Sequence, residues 1–314
     1  MMARPRVVVA ALLPQVGLEL LRPRYDVDTS SERPERLWLL DHVRGAAGMV
    51  AAPGVRVDSE LLDAAGGSLK VVANFGVGYD NIDVEAVRAR GIRATNTPDV
   101  LTNATAELAV TLMLAASRRV AEADAAVRSG GWPHESELLG RELSGATVGL
   151  IGFGRIAQRV AGLLSGFGTR LLYSSRSEAR GQAVAERREL PELMSACDFI
   201  SVHVPLSPET HHLIDGALLA KIKPGAILVN TSRGAVVETG ALVDALRSGR
   251  VGAAGLDVYE DEPEVPQSLR ELSNTVLLPH VGSATGTTRD AMARLCVENL
   301  VAVIEGRQPP TPVV

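Results

Sequence analysis

Along most of the chain, short apolar runs rich in β-branched residues alternate with segments whose apolar positions recur every three or four residues. Runs such as "RVVVAAL", "GMVAA", "KVVANF" and "IRATN" read as strands buried on both faces. Between them lie helical stretches such as "DSELLDAA" and "DVEAVRAR", each opened by an aspartate able to cap free N–H groups. This alternation predicts a parallel sheet with crossover helices. A second series follows, with six predicted strands in "ATVGLI", "TRLLYS", "DFISVHV", "AILVN", "VGAAGLDV" and "TVLLP". Six is the count of a complete dinucleotide-binding sheet.

Between the series, "LTNATAELAVTLMLAASRRVAEADAAVRSG" predicts one long helix crossing between domains. A closing helix from about Thr287 to Glu305 is expected to return to the first sheet. The predicted fold class is therefore α/β with two doubly wound parallel-sheet domains. Residues 1–99 and 285–314 form a discontinuous flavodoxin-like substrate domain, and 100–284 a Rossmann cofactor domain inserted into it, with hinges near Thr97 to Asp99 and Ser283 to Thr285.

Composition narrows the function classes. At 314 residues the chain suits two cores. A net charge of −5 offers no basic face for nucleic acid or an anionic membrane. The apolar run before Pro14 is too short for a secretory segment, and none approaches spanning length. Two cysteines, Cys197 and Cys296, make neither a disulfide framework nor a zinc cluster, so a reducing cytoplasm is expected and no metal site. The abundance of arginine over lysine, found only at Lys70, Lys221 and Lys223, carries no functional weight.

"VGLIGFGRIAQRVAGLL" places Gly152 and Gly154 between an apolar run and a helical stretch, with Ala157 in the third fingerprint position. Gly152 permits the tight turn and Gly154 lets a pyrophosphate approach the backbone at a helix N-terminus. About twenty residues on, an NAD site carries an acid for the ribose 2′-hydroxyl. Here Ser174, Ser175 and Arg176 end the second strand of the series. Hydroxyls and a guanidinium suit a 2′-phosphate, so NADP(H) is expected over NAD; the alternative is that Arg176 is a solvated loop charge.

In an open parallel sheet ligands bind beyond the carboxyl ends of the strands. That rule selects Arg233 after the fourth predicted strand, Asp257 and Glu262 after the fifth, and His280 after the sixth. Reduction of a 2-keto acid needs a hydride donor, a proton donor and a cation for the carboxylate, and His280 and Arg233 supply the last two. Singly, each residue has a structural explanation. Together, at successive strand ends, they have few. His42, His134, His211 and His212 lack that placement and are assigned to structure or surface.

The segments "ANFGVGYDNID", "NTPDVLTNATAELA", "GLIGFGRIA", "HVPLSPETHHLI", "NTSRGAVVE", "GLDVYEDEP" and "PHVGSAT" resemble, in order and over nearly the whole chain, the D-isomer-specific 2-hydroxyacid dehydrogenases. Within that family the likeness is to glyoxylate and hydroxypyruvate reductases. The resemblance implies a catalytic trio of Arg233, Glu262 and His280, with His280 protonating the keto oxygen, Glu262 holding the imidazole and Arg233 clamping the carboxylate. It also implies that backbone N–H groups of Val77 and Gly78 hold that carboxylate from the first domain, in a cleft that closes about the hinges. Asp257 corresponds to the nicotinamide carboxamide partner. Thr105, Arg155, Ile156, His203, Pro205, Thr210, Thr231 and Gly282 correspond to cofactor contacts. The chain departs from the commonest pattern at Ala157 and at Ser175, and the second departure puts NAD in doubt. The family usually forms homodimers, here through about Leu108 to Leu143.

The expected activity is reduction of glyoxylate, hydroxypyruvate or a similar small 2-keto acid, with NADPH preferred and NADH possible. Phosphoglycerate dehydrogenase is the neighbouring alternative, against which stand the missing acid and the absence of a regulatory domain after Arg307. Phosphite or formate oxidation fits the motifs less well. Outside enzymes, the family's dinucleotide-sensing co-repressors share the fold and trio, but the chain ends at "GRQPPTPVV" without the tail such proteins carry.

Overall fold

The computed structural model describes residues 4–30, 34–177 and 185–314. They divide into two compact units, Met1–Leu101 with Ser283–Val314, and Thr102–Gly282. The first holds a five-stranded parallel sheet of β1 (Arg6–Ala10), β2 (Asp26–Thr29), β3 (Gly48–Ala51), β4 (Val71–Asn74) and β5 (Arg93–Thr95), in the order β2-β1-β3-β4-β5. Strands β3 and β4 are buried throughout, as continuous apolar runs in a doubly covered sheet must be. Asp58 and Asp83 do open the helices Ser59–Ala65 and Val84–Ala89, accepting from the N–H groups of Leu61 and Ala86. The helix Gly286–Ile304 belongs to this unit and buries Met292, Ala293, Cys296, Val297 and Leu300. Its Cys296 Sγ lies 3.6 Å from the Ala73 carbonyl of β4. Strand β2 is absent from the sequence-based pattern for a physical reason: "DVDT" is a polar edge strand with no buried residue.

The second unit holds seven parallel strands: β6 (Thr147–Ile151), β7 (Arg170–Ser174), β8 (Glu186–Arg187), β9 (Phe199–Val202), β10 (Ala226–Asn230), β11 (Val251–Leu256) and β12 (Thr275–Leu277). Their order is β12-β11-β10-β9-β6-β7-β8, the doubly wound order with one strand added beyond β11. Along β10, Leu228 joins the cluster of Leu193, Ile200 and Leu256, while Ile227 and Val229 join that of Val148, Leu150 and Phe199 on the other face. The period of two along a strand thus feeds both layers. The strand order reverses between β6 and β9, which neighbour each other, and the crevice beyond their carboxyl ends is the position where such folds bind ligands.

Two expectations are corrected here. The sheet has seven strands, because β8 is two exposed charged residues that pair with Leu172 and Tyr173 without any apolar signal. Arg233, Asp257 with Glu262, and His280 therefore follow the fifth, sixth and seventh strands of this sheet. The long helix is two helices, Thr102–Ser117 and Val120–Arg128, broken at Arg119. Arg119 adopts a left-handed φ of 53°, and its Nε and Nη2 bind Glu122 at 2.9 and 2.7 Å. Among the described residues no helix is long and apolar enough to cross a membrane.

Candidate active site

The glycine turn after β6 is shaped for close approach. Gly152 has φ +85°, and a Cβ there would lie 2.8 Å from the His203 carbonyl oxygen beyond β9. Only glycine meets both demands. Gly154 has open space where a side chain would stand, and it precedes the helix Arg155–Leu164 with no side-chain cap on the first N–H groups. An uncapped ten-residue helix with room at its N-terminus presents N–H groups and a positive dipole end able to receive an anion. Arg155 and Ile156 form its first turn, and Ala157 is fully buried, as the close-packing position requires.

Two buried polar atoms on neighbouring strand ends lack a partner among the described residues: His203 Nε2 and Thr231 Oγ1. Burial pushes the His203 imidazole down to about 4, so it is neutral and presents one donor and one acceptor. An unpaired buried polar atom costs stability unless something fills its place, and a polar dinucleotide fits this donor set. In the loop that follows, Thr210 Oγ1 donates to the Pro205 carbonyl at 2.6 Å and accepts from the Ser207 N–H at 2.8 Å, which closes the loop on itself.

At the end of β7, Ser174 and Ser175 are half-buried and Arg176 is exposed. The Arg176 charge is felt at Glu209: the Ser207 hydroxyl and then this guanidinium are among the groups that hold the Glu209 carboxyl below its usual range. A second guanidinium enters from β8, where Arg187 Nη2 donates to the Ser175 carbonyl at 3.1 Å. Sequence reasoning missed Arg187 because nothing in its own segment marks a strand.

At the other strand ends, His280 Nδ1 lies 2.7 Å from Glu262 Oε2, while Glu262 Oε1 accepts from the Tyr259 N–H at 3.1 Å. Burial pushes the Glu262 carboxyl up. The His280 hydrogen bond and charge, the Tyr259 N–H and the Arg233 charge outweigh it and hold Glu262 below the usual range. Glu262 is therefore an anion at neutral pH. His280 itself has φ 57°, a left-handed conformation that needs support in a residue with a Cβ. Asp257 provides it. Its two carboxylate oxygens accept from the N–H groups of Val281 and Gly282 at 2.7 and 2.8 Å, fixing the chain directly after His280. Burial pushes the Asp257 carboxyl up, against the two N–H bonds and the nearby imidazole. Gly282 also packs toward Thr105, which is buried in the first turn of the helix Thr102–Ser117.

Arg233 is half-buried, with Nη1 donating to the Ser232 carbonyl at 2.8 Å. Asn230, at the end of β10, accepts from Ser232 N–H and Oγ at 3.0 and 2.8 Å and donates to the Arg233 carbonyl at 2.9 Å. Gly234 is pressed against the next loop so closely that a Cβ would fall 1.8 Å from the Tyr259 carbonyl carbon. Tyr259 in turn donates its hydroxyl to Leu278 at 3.0 Å, and burial pushes that phenol up to about 12. Asn230, Gly234 and Tyr259 thus lock the Arg233, Glu262 and His280 segments together. The one signal that could have found Gly234 is its place next to an arginine beyond a buried strand. His212, left to structure by the sequence, pairs through Nε2 with Glu260 at 2.5 Å in this same supporting layer.

In the first unit, the loop after β4 holds Val77 and Gly78, both half-buried. Three consecutive carbonyls of this loop are tied down: Gly76 by the Thr97 N–H at 3.0 Å, Val77 by Asn96 Nδ2 at 2.8 Å and Gly78 by Asn74 Nδ2 at 2.6 Å. Arg289 lies over the Phe75 ring at 4.6 Å and donates to Ser283 Oγ at 3.2 Å.

Known proteins resemble this chain over nearly its whole length. The family model "D-isomer specific 2-hydroxyacid dehydrogenase, NAD binding domain" matches residues 110–282. The chain is 46% identical to a glyoxylate reductase of Thermococcus gammatolerans, over 98% of this chain and 95% of that protein. A solved structure of a Thermus thermophilus protein superposes with a TM-score of 0.92 at 47% identity, covering 98% of this chain and all of that one. An NADPH-dependent glyoxylate/hydroxypyruvate reductase of Sinorhizobium meliloti, solved with NADP and malonate, superposes with a TM-score of 0.90 at 37% identity, over 99% and 97% of the two chains.

Proposed function

The chain belongs to the D-isomer-specific 2-hydroxyacid dehydrogenase family, and on that premise we propose that it reduces glyoxylate, hydroxypyruvate or a similarly small 2-keto acid to the D-2-hydroxy acid, with NADPH preferred over NADH. The observation that carries this reading is the His280–Glu262 hydrogen bond with the Arg233 charge beside it, at adjacent strand ends of a dinucleotide sheet. The bound nicotinamide supplies the hydride. With Nδ1 committed to Glu262, His280 delivers its proton from Nε2 to the forming alkoxide, and the Glu262 anion stabilises the imidazolium that donates it. Arg233 clamps the substrate carboxylate and polarises the adjacent carbonyl. The family resemblance assigns the N–H groups of Val77 and Gly78 to binding of a substrate carboxylate.

Gly152, Gly154, Arg155 and Ile156 would hold the pyrophosphate, with Thr105, Pro205, Thr210 and Gly282 lining the same site. His203 and Thr231 would pair their buried atoms with the cofactor, and Asp257 would accept from the carboxamide through lone pairs its backbone partners leave over. NADPH preference rests on Ser174, Ser175 and Arg176, with Arg187 as a second cation near the 2′-position. The likeness to an NADPH-dependent reductase supports the same choice. The phosphoglycerate alternative needs a ribose-binding acid at the end of β7, where Ser175 stands.

We further propose a homodimer, supported by exposed apolar side chains at Val120, Val127, Trp132 and Leu139 in the segment assigned to that interface. A reducing, cytoplasmic setting suits Cys197 and Cys296, two buried free thiols that burial pushes up to about 12.

The test is initial-rate reduction of glyoxylate and hydroxypyruvate with NADPH and NADH side by side. Turnover with a lower KM for NADPH is expected. Turnover with NADH preferred would overturn the cofactor reading alone, and no turnover with either would overturn the substrate reading.

A further inference from the structure

The substrate role given to Val77 and Gly78 belongs to their backbone, so something other than residue type must aim those N–H groups. In a planar trans peptide the carbonyl of one residue and the N–H of the next point in opposite directions. Pinning the carbonyls of Gly76, Val77 and Gly78 therefore turns the N–H groups of Val77, Gly78 and Tyr79 to the opposite side. None of those three N–H groups is bonded to another described residue. The pins are Thr97 N–H, Asn96 Nδ2 and Asn74 Nδ2.

The pins are themselves braced. Asn74 is fully buried and its Oδ1 accepts from Asn81 Nδ2 at 3.2 Å, while Asn81 also donates to the carbonyls of Ala52 and Val55 at 3.2 and 3.0 Å. Asn96 is held from the far end of the chain. Its carbonyl accepts from Thr311 Oγ1 at 2.6 Å and Asn299 Nδ2 at 3.3 Å. Its N–H donates to the Thr311 carbonyl at 3.3 Å. The buried Asn299 completes the link, donating to Thr311 Oγ1 at 2.7 Å and accepting from Thr311 N–H at 3.0 Å. A hydrogen-bonded chain thus runs from the helix Gly286–Ile304 through Thr311 and Asn96 to the Val77 carbonyl, whose peptide partner is the Gly78 N–H.

We propose that Asn96 is a positioning residue for the substrate carboxylate, with Asn74 as its counterpart one peptide further along. Asn299 and Thr311 brace Asn96 from the C-terminal segment, and Tyr79 N–H is a third donor in the same array. The proposal rests on the reading that this loop binds the carboxylate. Asparagine is required at position 96 because the Val77 carbonyl needs a donor: an aspartate carboxylate of the same shape at that position would repel the oxygen instead of holding it.

The experiment compares Asn96→Ala, Asn96→Asp and Gly78→Pro, the last of which deletes one N–H outright, with glyoxylate as substrate and NADPH as cofactor. For both Asn96 variants the expected result is a rise of about tenfold in the KM for glyoxylate, the loss of one charge-assisted hydrogen bond. The KM for NADPH should stay unchanged and kcat should fall by less than the rise in KM. Gly78→Pro should raise the glyoxylate KM at least as much. If Gly78→Pro raises KM while both Asn96 variants leave it unchanged, positioning by Asn96 is overturned and the loop's role stands. If no variant raises it, the carboxylate role of the loop is overturned and the proposal with it. A lowered Tm with unchanged KM in Asn96→Ala counts against the proposal, since it marks a purely structural residue.

Discussion

In the seven-stranded unit the proposed chemistry is carried by side chains: an imidazole 2.7 Å from a carboxylate, with a guanidinium charge acting on that carboxylate. In the five-stranded unit it is carried by the backbone of Phe75–Asp80, and the side chains that matter there, Asn74 and Asn96, bind carbonyls. The first arrangement fixes ionisable groups, through Asp257 behind His280 and Asn230 behind Arg233. The second fixes peptide planes. Side-chain chemistry announces itself by residue type, whereas backbone chemistry depends on partners distant in sequence, such as Asn96 and Thr311.

The contrast predicts different kinetic signatures. His280→Ala removes a proton donor acting in the transition state, so kcat should fall by about 10²–10⁴-fold with NADPH binding retained. The Asn96 variants should act mainly on the KM of the keto acid. Fluorescence titration of NADPH beside steady-state kinetics separates the two. Near-normal turnover in His280→Ala would break the comparison at its stronger end.

Gly234→Ala brings a backbone requirement into the side-chain region. The added methyl would collide with the Tyr259 and Glu260 backbone, so the segments bearing Arg233 and Glu262 must part. Overpacking of this kind costs about 1–3 kcal/mol, readable in denaturant unfolding, and kcat/KM for the keto acid should drop with it. A variant as stable and active as the parent would show that the loops are less tightly locked than the geometry requires.

These cases also mark how far the sequence could be read. Strands β3, β4 and β10 are apolar runs because both faces are buried, and that pattern survives in one dimension. Strands β2 and β8 do not show it, since an exposed edge strand is held by one neighbour's backbone and needs no apolar residue. The break at Arg119 was hidden because arginine is an ordinary helix former. Its left-handed φ is offset by bonds to Glu122 and to the Glu137 carbonyl, the latter eighteen positions away. At the site, Arg233, Glu262 and His280 stood out by type and by place at strand ends. Tyr259 and Asn96 matter for what they touch, and neither composition nor spacing carries that.

A smaller effect is expected at the cofactor end. Ser175→Asp places a carboxylate beside the proposed 2′-phosphate position, and like charges there should raise the KM for NADPH by at least about tenfold while that for NADH changes little. Arg187→Ala should move the NADPH value in the same direction by less, because Arg187 shares the phosphate with Arg176. Equal effects on both cofactors would assign Arg176 and Arg187 to solvent and leave the trio untouched.

The smallest expected effect distinguishes the two regions by pH. Glu262 titrates below the ordinary glutamate value of 4.5 in the folded chain. A carboxyl with a depressed folded pKa contributes stability that is fully present above its unfolded value and is lost as pH falls through the folded one. Glu262→Gln should therefore be less stable than the parent at neutral pH, and the difference should shrink as pH drops below about 4.5. Asn96→Ala removes only neutral hydrogen bonds, so its stability deficit should not follow this course. The side chain of Glu262 is one-quarter exposed, and solvent screening keeps the change modest. Thermal unfolding of the three proteins across this range reads it directly. A Glu262→Gln deficit that is flat with pH would mean that the carboxylate is held by packing and not by the charges of His280 and Arg233, and the electrostatic half of the comparison would fall.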